Sequence, residues 1–532
     1  MSDKPKPADV LTELVRTRMR LFHSQYNLPC ARAGNDRRLE TFEIGSEGFA
    51  LLLTSIYLDE LNSTISRSQL DTAVRHLAAM AIHSGVMIPV FYRIAPMSGG
   101  IAIDCGDPTW RALVVTVDGW KCAVSPVPFI RNPAMKPLPA PTQTGPEDVE
   151  LFRQYFPPGN QSDWQLLVVW VVKCFMPGGP YPLLEIIGQQ GSAKSFRTRL
   201  LVALVDPHLG CLQSLPKSDR DLQIAAHNSH LLAFDNVSLL PNEKSDWFCR
   251  MATGGGFRTR KLYSDKAEII IDACRPVIVN GINKICQQQD LISRAIRITM
   301  PAISPEERRA EEEVQRAFDR DHPLILGAFL SLLSGVIREL PNVRLSSMPR
   351  MADFARVGVA VERVMGWAEG SFIAAHENNC QQAMESSVED HPMGQAILTL
   401  LDSDNPWKGT ASDLLQRLSR LVTSDVRQLP EWPKSENWLS HHLDRLAPGL
   451  SVVGVRINRL KNDSGFRKVI VLSRGRRDER DGTPTESVAI PVPCVETPLN
   501  VSVFQPPHAN HANIAGFRGD DVFRLSDYII EE

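Results

Sequence analysis

A multidomain chain, with α/β and α+β parts around one α/β core, is the fold class this sequence predicts. Three observations predict it. Residues 147–310 alternate short apolar runs with helix-patterned segments, the mark of a mostly parallel sheet covered by helices. One of those runs enters a Gly-rich turn within residues 184–195, LEIIGQQGSAKS. The stretch 133–146, PAMKPLPAPTQTGP, is Pro-rich and stiff, and it separates the core from what precedes it.

Length and composition bound the reading. A chain of 532 residues has room for three or four domains. Its 43% hydrophobic and 22% charged content fit a folded protein. A formal charge of -3 excludes a polycation, so any nucleic-acid binding must come from local patches. The ten cysteines are scattered without a CxxC pair, which argues against a zinc module. The opening MSDKPKPADV lacks the apolar stretch of a signal peptide. The longest apolar run, LLVVWVVKCFM at 166–176, is too short for a membrane span and carries Lys173. The expectation is a cytoplasmic protein with no membrane partner.

Residues 1–137 read as an α+β domain of unknown role. Helices are expected over Val10–Phe22 and Ser66–Ser84, the second with Leu70, Val74, Leu77 and Ala81 on one stripe. Strand-like runs follow at Val86–Ile94, Ile101–Asp104, Ala112–Val117 and Trp120–Val124, with turns at GDPTW and DGW. No metal cluster, paired carboxylates or nucleophile motif stands out there.

The core, 147–304, carries the chemistry. Its strands are expected at Leu183–Ile187, Leu231–Asp235, Val277–Asn280 and Ala295–Thr299. The turn Gly188, Gln189, Gln190, Gly191, Ser192, Ala193, followed by Lys194, Ser195 and Phe196 at a helix start, is a candidate phosphate cradle. Backbone N–H groups and a helix N-terminus there can wrap a phosphate chain. Lys194 would reach the β- and γ-phosphates of ATP, and Ser195 would hold Mg²⁺. Ala193 stands where such loops usually have Gly. Asp235, at the tip of an apolar strand, is placed to share the Mg²⁺ shell with Ser195. The next residue, Asn236, cannot accept a proton at neutral pH. Either Asp235 does both jobs, another acid such as Glu185 or Asp246 helps, or hydrolysis is slow. Asn280, at another strand tip, can bond both the γ-phosphate and the lytic water. Arg294 and Arg297 lie three apart, and one of them is a candidate arginine finger acting across a subunit boundary.

Residues 305–389 are expected to be a helical lid or collar, with helices over Glu306–Phe318, Pro323–Leu340 and Ala352–Ala368. Arg350 or Arg356 is a candidate γ-phosphate contact from that lid. Residues 390–474 give helices at Gln395–Leu401, Thr410–Leu421 and Glu436–Leu446, then two apolar runs around RLKNDSG. Three helices and a hairpin is the order of a winged helix-turn-helix. Residues 475–532 read as a flexible, Pro-rich tail.

In the order of these elements, and in FCRMATGGGFRTRKLYSDKAE at 248–268, the chain resembles the superfamily 3 helicases. It is most similar to the helicase module of poxvirus-, phage- and plasmid-type primase-helicases. The resemblance is best over 165–305 and implies an AAA+-like P-loop ATPase core that works as a hexameric ring. It implies that Lys194, Ser195, Asp235, Asn280 and Arg294 serve ATP and Mg²⁺ between subunits. It also implies that the 248–268 segment meets single-stranded DNA in a central channel. The residues agree: Arg258, Arg260 and Lys261 can contact phosphates and Tyr263 can stack on a base. A second DNA surface, for a duplex, is expected from His441, His442 and Arg445 with Arg459, Lys461 and Lys468 around the wing. The expected function is an ATP-dependent DNA helicase or translocase in replication of a phage, plasmid or integrated element, with replication or mobile-element proteins as partners. The alternatives are a slow ATPase switch assembling on DNA and a non-motor winged-helix regulator.

Overall fold

The computed structural model describes residues 5–35, 38–238, 240–254, 257–260, 268–271, 274–461 and 468–475. All of them fall in one compact unit, Met1–Thr485. Its architecture is multidomain and mixed α/β.

The chain begins with α1 (Pro7–Arg18), β1 (Met19–His23), β2 (Pro29–Asn35), β3 (Arg38–Glu43), α2 (Glu47–Leu61), α3 (Arg67–His83) and β4 (Val86–Met87). The helix expected over Val10–Phe22 ends at Arg18, and its last residues belong to β1 instead. The strand order is β3-β2-β1-β4. Leu11, Val15, Phe49, Leu53, Leu77 and Ala81 form a small core of their own. Helix α2 has no clear polar face, which is why periodicity missed it: Phe49 and Leu53 are buried, yet Leu51 and Leu58 are exposed.

A second antiparallel sheet, β5 (Ile94–Met97), β6 (Gly100–Asp104), β7 (Arg111–Thr116) and β8 (Gly119–Val124), runs in sequence order. Its Ile101, Ile103, Leu113 and Val115 join the main hydrophobic core. Arg93 pins this sheet to the centre. It is fully buried, bonds the Asp206 carboxylate at 2.8 Å, and donates to the carbonyls of Asp104, Lys136 and Pro207. The Pro-rich stretch 133–146 is docked rather than free. Leu138 N–H bonds Cys105, Thr142 N–H bonds the Pro323 carbonyl, and Ser331 Oγ donates to the Thr144 carbonyl. Gly327 permits that approach, because a Cβ there would lie 1.8 Å from the Thr142 carbonyl oxygen.

The central sheet is parallel. After α4 (Gln161–Cys174) come β9 (Leu183–Ile187), α5 (Lys194–Val205), α6 (Asp219–Asn228), β10 (Leu232–Phe234) and α7 (Asn242–Thr253). A hairpin, β11 (Phe257–Arg260) and β12 (Glu268–Ile271), precedes β13 (Val277–Gly281), α8 (Gln289–Ile292) and β14 (Ala295–Thr299). The strand order is β10-β13-β9-β14, so the strand ending in Asp235 is separated from β9 by the strand ending in Asn280 and Gly281. Alternation with period two buries both faces. Leu184, Ile186, Ile278 and Ile296 enter the core shared with α4 and α5, whereas Leu183, Val277, Val279 and Phe234 pack with α7 on the other side.

Three long helices follow: α9 (Glu311–Glu339), α10 (Ala352–Met365) and α11 (Ser371–Asp390). The helical stretch Glu311–Asn342 is long and apolar enough to cross a membrane by length and composition, with 56% of that apolar window buried in the protein. Ile325, Leu326, Phe329, Leu330 and Leu333 are its fully buried face. The last described part has α12 (Pro392–Ser403), β15 (Trp407–Gly409), α13 (Ala411–Leu421), α14 (Ser424–Gln428), α15 (Glu436–Val452), β16 (Val455–Lys461) and β17 (Lys468–Arg474). Its sheet order is β15-β17-β16, and its core holds Leu414, Leu418, Leu439, Leu443 and Leu472. Thr410 and Asp413 form a capping box that starts α13.

Candidate functional site

The Gly-rich turn leaves β9 at the C-terminal edge of the parallel sheet and feeds straight into α5. Gly191 and Ala193 both have left-handed backbone, φ 84° and 54°. Gly adopts that region freely; Ala does so against its Cβ. The Lys194 ammonium folds back into the turn, donating to the carbonyls of Gly188 at 2.8 Å and Gln189 at 2.9 Å. Burial lowers its pKa, against the pull of Asp235. Gln189, Gln190 and Gly191 are exposed, and Ser192 is buried with its hydroxyl on the Gln189 carbonyl. Phe196 turns the other way, into the main core.

Ser195 Oγ donates to Asp235 Oδ1 at 2.7 Å. The sequence separates these residues by 40 positions; the sheet brings them together at the mouth of the turn. A hydroxyl beside a carboxylate is a hard-oxygen pair suited to Mg²⁺. Asn236 has φ 54° and its N–H bonds Asn280 Oδ1 at 3.0 Å. Asn280 is buried, and its amide also donates to Thr198 Oγ1 at 2.9 Å. Its carboxamide therefore ties the Asp235 strand tip to helix α5.

The two arginines part company. Arg297 lies across from Glu185 in the β14–β9 register and bonds its carboxylate at 2.7 Å, with side chains 10% and 1% exposed. The same carboxylate accepts the N–H groups of Ile285 and Cys286. Glu185 and Arg297 thus satisfy each other inside the sheet. Arg294 precedes β14, at the sheet edge opposite the Gly-rich turn, and pairs with Asp290 at 2.6 Å. Arg350 reaches the same Asp290, so Arg294 and Arg350 share one carboxylate far from their own turn. Arg356 bonds the Leu340 carbonyl. Asp246 sits on α7, where it is exposed.

Sequence reading missed Arg308, which approaches Gly191 from beyond β14. It also missed a cleft of about 560 Å³ between α4 and α11, lined by Gln161, Gln165, Trp367, Ser371 and Asn378 among others. Gly188 packs on Met300, and Gly159 on the neighbouring Thr299. Asp163, on the first turn of α4, is held by the Thr299 backbone, and burial raises its pKa to about 6.

Arg258 and Arg260 lie on β11, whose backbone pairs with β12; Lys261 and Tyr263 lie outside the described residues. On α15, His441 and Arg445 are exposed. His442 packs its ring against Trp438 and faces His391, and burial lowers its pKa. Arg459 is tied to Asp444 at 2.6 Å. Lys461 and Lys468 are register partners at the turn end of the β16–β17 pair, with side chains outside the described residues. Among the described residues no cluster of metal-ligating side chains occurs.

Residues 157–376 match the family model of the actinomycete integrative conjugative element replication protein. Residues 393–486 match the C-terminal domain of the RepA proteins of those elements. The chain is a distant, partial homologue of RepA-type replication proteins. No curated protein matches it. Similar solved structures include the A form apo structure of the NrS-1 C-terminal region, at 13% identity and TM-score 0.39, covering 89% of this chain and 100% of that one. The apo structure of NrS-1 residues 305–718 is similar at 12% identity and TM-score 0.37, with the same coverage.

Proposed function

We infer that this chain is an ATP-dependent DNA translocase or helicase serving replication of an integrated element. The observation that carries the reading is the Ser195–Asp235 contact of 2.7 Å at the mouth of the Gly-rich turn that holds Lys194. A phosphate chain in that turn would take the Lys194 ammonium from the carbonyls it now bonds, and Ser195 and Asp235 would hold Mg²⁺ beside it. The base would extend the other way, over β14, towards the cleft with Trp367. Carboxamides there suit the edge of adenine, and an indole suits its face.

A ring would give Arg294 its role. It cannot reach its own turn across the length of β14, roughly 16 Å for five residues, so any part it plays in hydrolysis would be on the ATP of a neighbour. The family matches favour DNA as the substrate, since their names describe replication proteins. The β11–β12 hairpin would meet single-stranded DNA, and the winged-helix-like part, through His441 and Arg445, would meet a duplex.

Asn236 favours a second reading, an ATP switch that hydrolyses slowly while assembled on DNA. The residue after Asp235 offers a carboxamide, with its N–H committed to Asn280. Nucleotide binding tests the site itself. Fluorescent ATP should bind in a Mg²⁺-dependent way, and Asp235→Asn should remove most of that dependence. Binding that ignores both Mg²⁺ and the Asp235→Asn and Lys194→Ala substitutions would sink the assignment.

A further inference from the structure

We propose that Arg308 is a phosphate-recognition residue supplied in cis, closing on the terminal phosphates from the β14 side of the turn. The idea rests on the nucleotide reading above and names a residue that reading does not need. One guanidinium nitrogen of Arg308 lies 3.9 Å from where a Cβ on Gly191 would sit. Gly191 is at the exposed rim of the turn, with φ 84°. A cation at that rim faces whatever anion the turn's N–H groups enclose.

The surroundings leave Arg308 available. It sits in a run with five carboxylates, PEERRAEEE at 305–313, yet four of them are engaged elsewhere. Glu307 closes the capping box on Ser304. Glu311 pairs with Arg199, Glu312 with Arg316 and Glu313 with Arg309. No ion pair joins Arg308 to a carboxylate among the described residues, and the side chain is exposed. Its neighbours hold the backbone in place: the capping box fixes 304–307, and the Arg199–Glu311 pair ties the start of α9 to α5. A guanidinium so placed can make paired bonds to phosphate oxygens, where an ammonium makes a single point contact.

Lys194 and Arg308 would then flank the phosphate chain from opposite sides. Lys194 comes from the start of α5 and Arg308 from the segment that follows β14. Each subunit would sense the terminal phosphate before any neighbour contributes. A nucleotide lacking that phosphate would leave Arg308 with little to bind, so the residue would set the preference for triphosphate over diphosphate.

The test is equilibrium binding of ATPγS, ADP and AMP to the full chain, for wild type, Arg308→Ala, Arg308→Lys and Lys194→Ala. Arg308→Ala should weaken ATPγS about tenfold, the effect of one lost charge-assisted contact, and change ADP less than twofold. Arg308→Lys should recover part of the loss. Thermal melting of all the Arg308 variants should match wild type, because the exposed side chain makes no ion pair among the described residues. Equal loss for ATPγS and ADP, or no loss for either, would overturn the Arg308 assignment while leaving the nucleotide site standing. If wild type binds none of the three, or binds them independently of Lys194, the site and the Arg308 assignment fall together.

Discussion

Replacing Arg297 by Met should cripple the fold of the core before it touches catalysis. The Glu185 carboxylate is 1% exposed, and it is balanced by Arg297 at 2.7 Å and by the N–H groups of Ile285 and Cys286. Met keeps most of the side-chain volume and removes the charge. The carboxylate then stays buried with two backbone donors and no counter-ion. Breaking a buried pair from one side costs about 3–5 kcal/mol, a large share of the roughly 5–15 kcal/mol that holds a domain together. Replacing both partners, as in Glu185→Leu with Arg297→Met, removes the orphaned charge and should recover much of the loss, although Ile285 and Cys286 lose an acceptor. Denaturant unfolding followed by tryptophan fluorescence, run as a double-mutant cycle, gives the coupling directly. Single variants within about 1 kcal/mol of wild type, with an additive double, would refute the pairing. They would return Arg297 to the pool of candidate fingers beside Arg294.

Three further expectations follow from local geometry. Ala193→Gly should stabilise the protein by about 0.5–1 kcal/mol, because the left-handed φ of 54° penalises a Cβ by more than the extra unfolded-state freedom of Gly costs; denaturant midpoints check it, and a loss of stability contradicts it. Burial raises the Asp163 pKa to about 6, so this carboxyl favours the fold below its unfolded value near 4 and withdraws that support as pH rises through 6. Asp163→Asn should therefore gain on wild type by up to about 3 kcal/mol between pH 4 and pH 7, and a difference that is flat with pH would count against the burial argument. Trp367→Ala should weaken ATP about tenfold and leave inorganic tripolyphosphate unchanged; equal effects on both ligands would remove the base from the α4–α11 cleft.

Much of the core was legible because its strands are short apolar runs bounded by Gly, Pro or polar tips. Leu183–Ile187 and Ala295–Thr299 read from the sequence coincide with β9 and β14. The Ser195 and Asp235 pair was legible too, since Asp235 follows such a run and Ser195 follows the Gly-rich turn that leaves another. Strand order was not legible, because nothing in a run says which neighbour it takes. The partnership of Glu185 and Arg297 depends on that order. Arg297 read as a candidate arginine finger, and only the β14–β9 register puts it opposite a buried acid. The first 137 residues read as one domain. In the structure the β1–β4 part keeps its own core, while β5–β8 share the main one. That division turns on Arg93, whose contacts reach Lys136 43 positions away and Asp206 and Pro207 113 and 114 positions away, and leave no periodic trace. Arg308 escaped notice because it sits in a charged run that looks like a solvated helix start.

The most direct test of the central claim is ATP turnover by wild type and Lys194→Ala, with and without single-stranded DNA, while assembly is followed by mass photometry. The account predicts turnover that DNA stimulates, that requires an assembled ring, and that Lys194→Ala abolishes without unfolding the chain. A folded protein that binds DNA yet hydrolyses no ATP in any assembly state would contradict it.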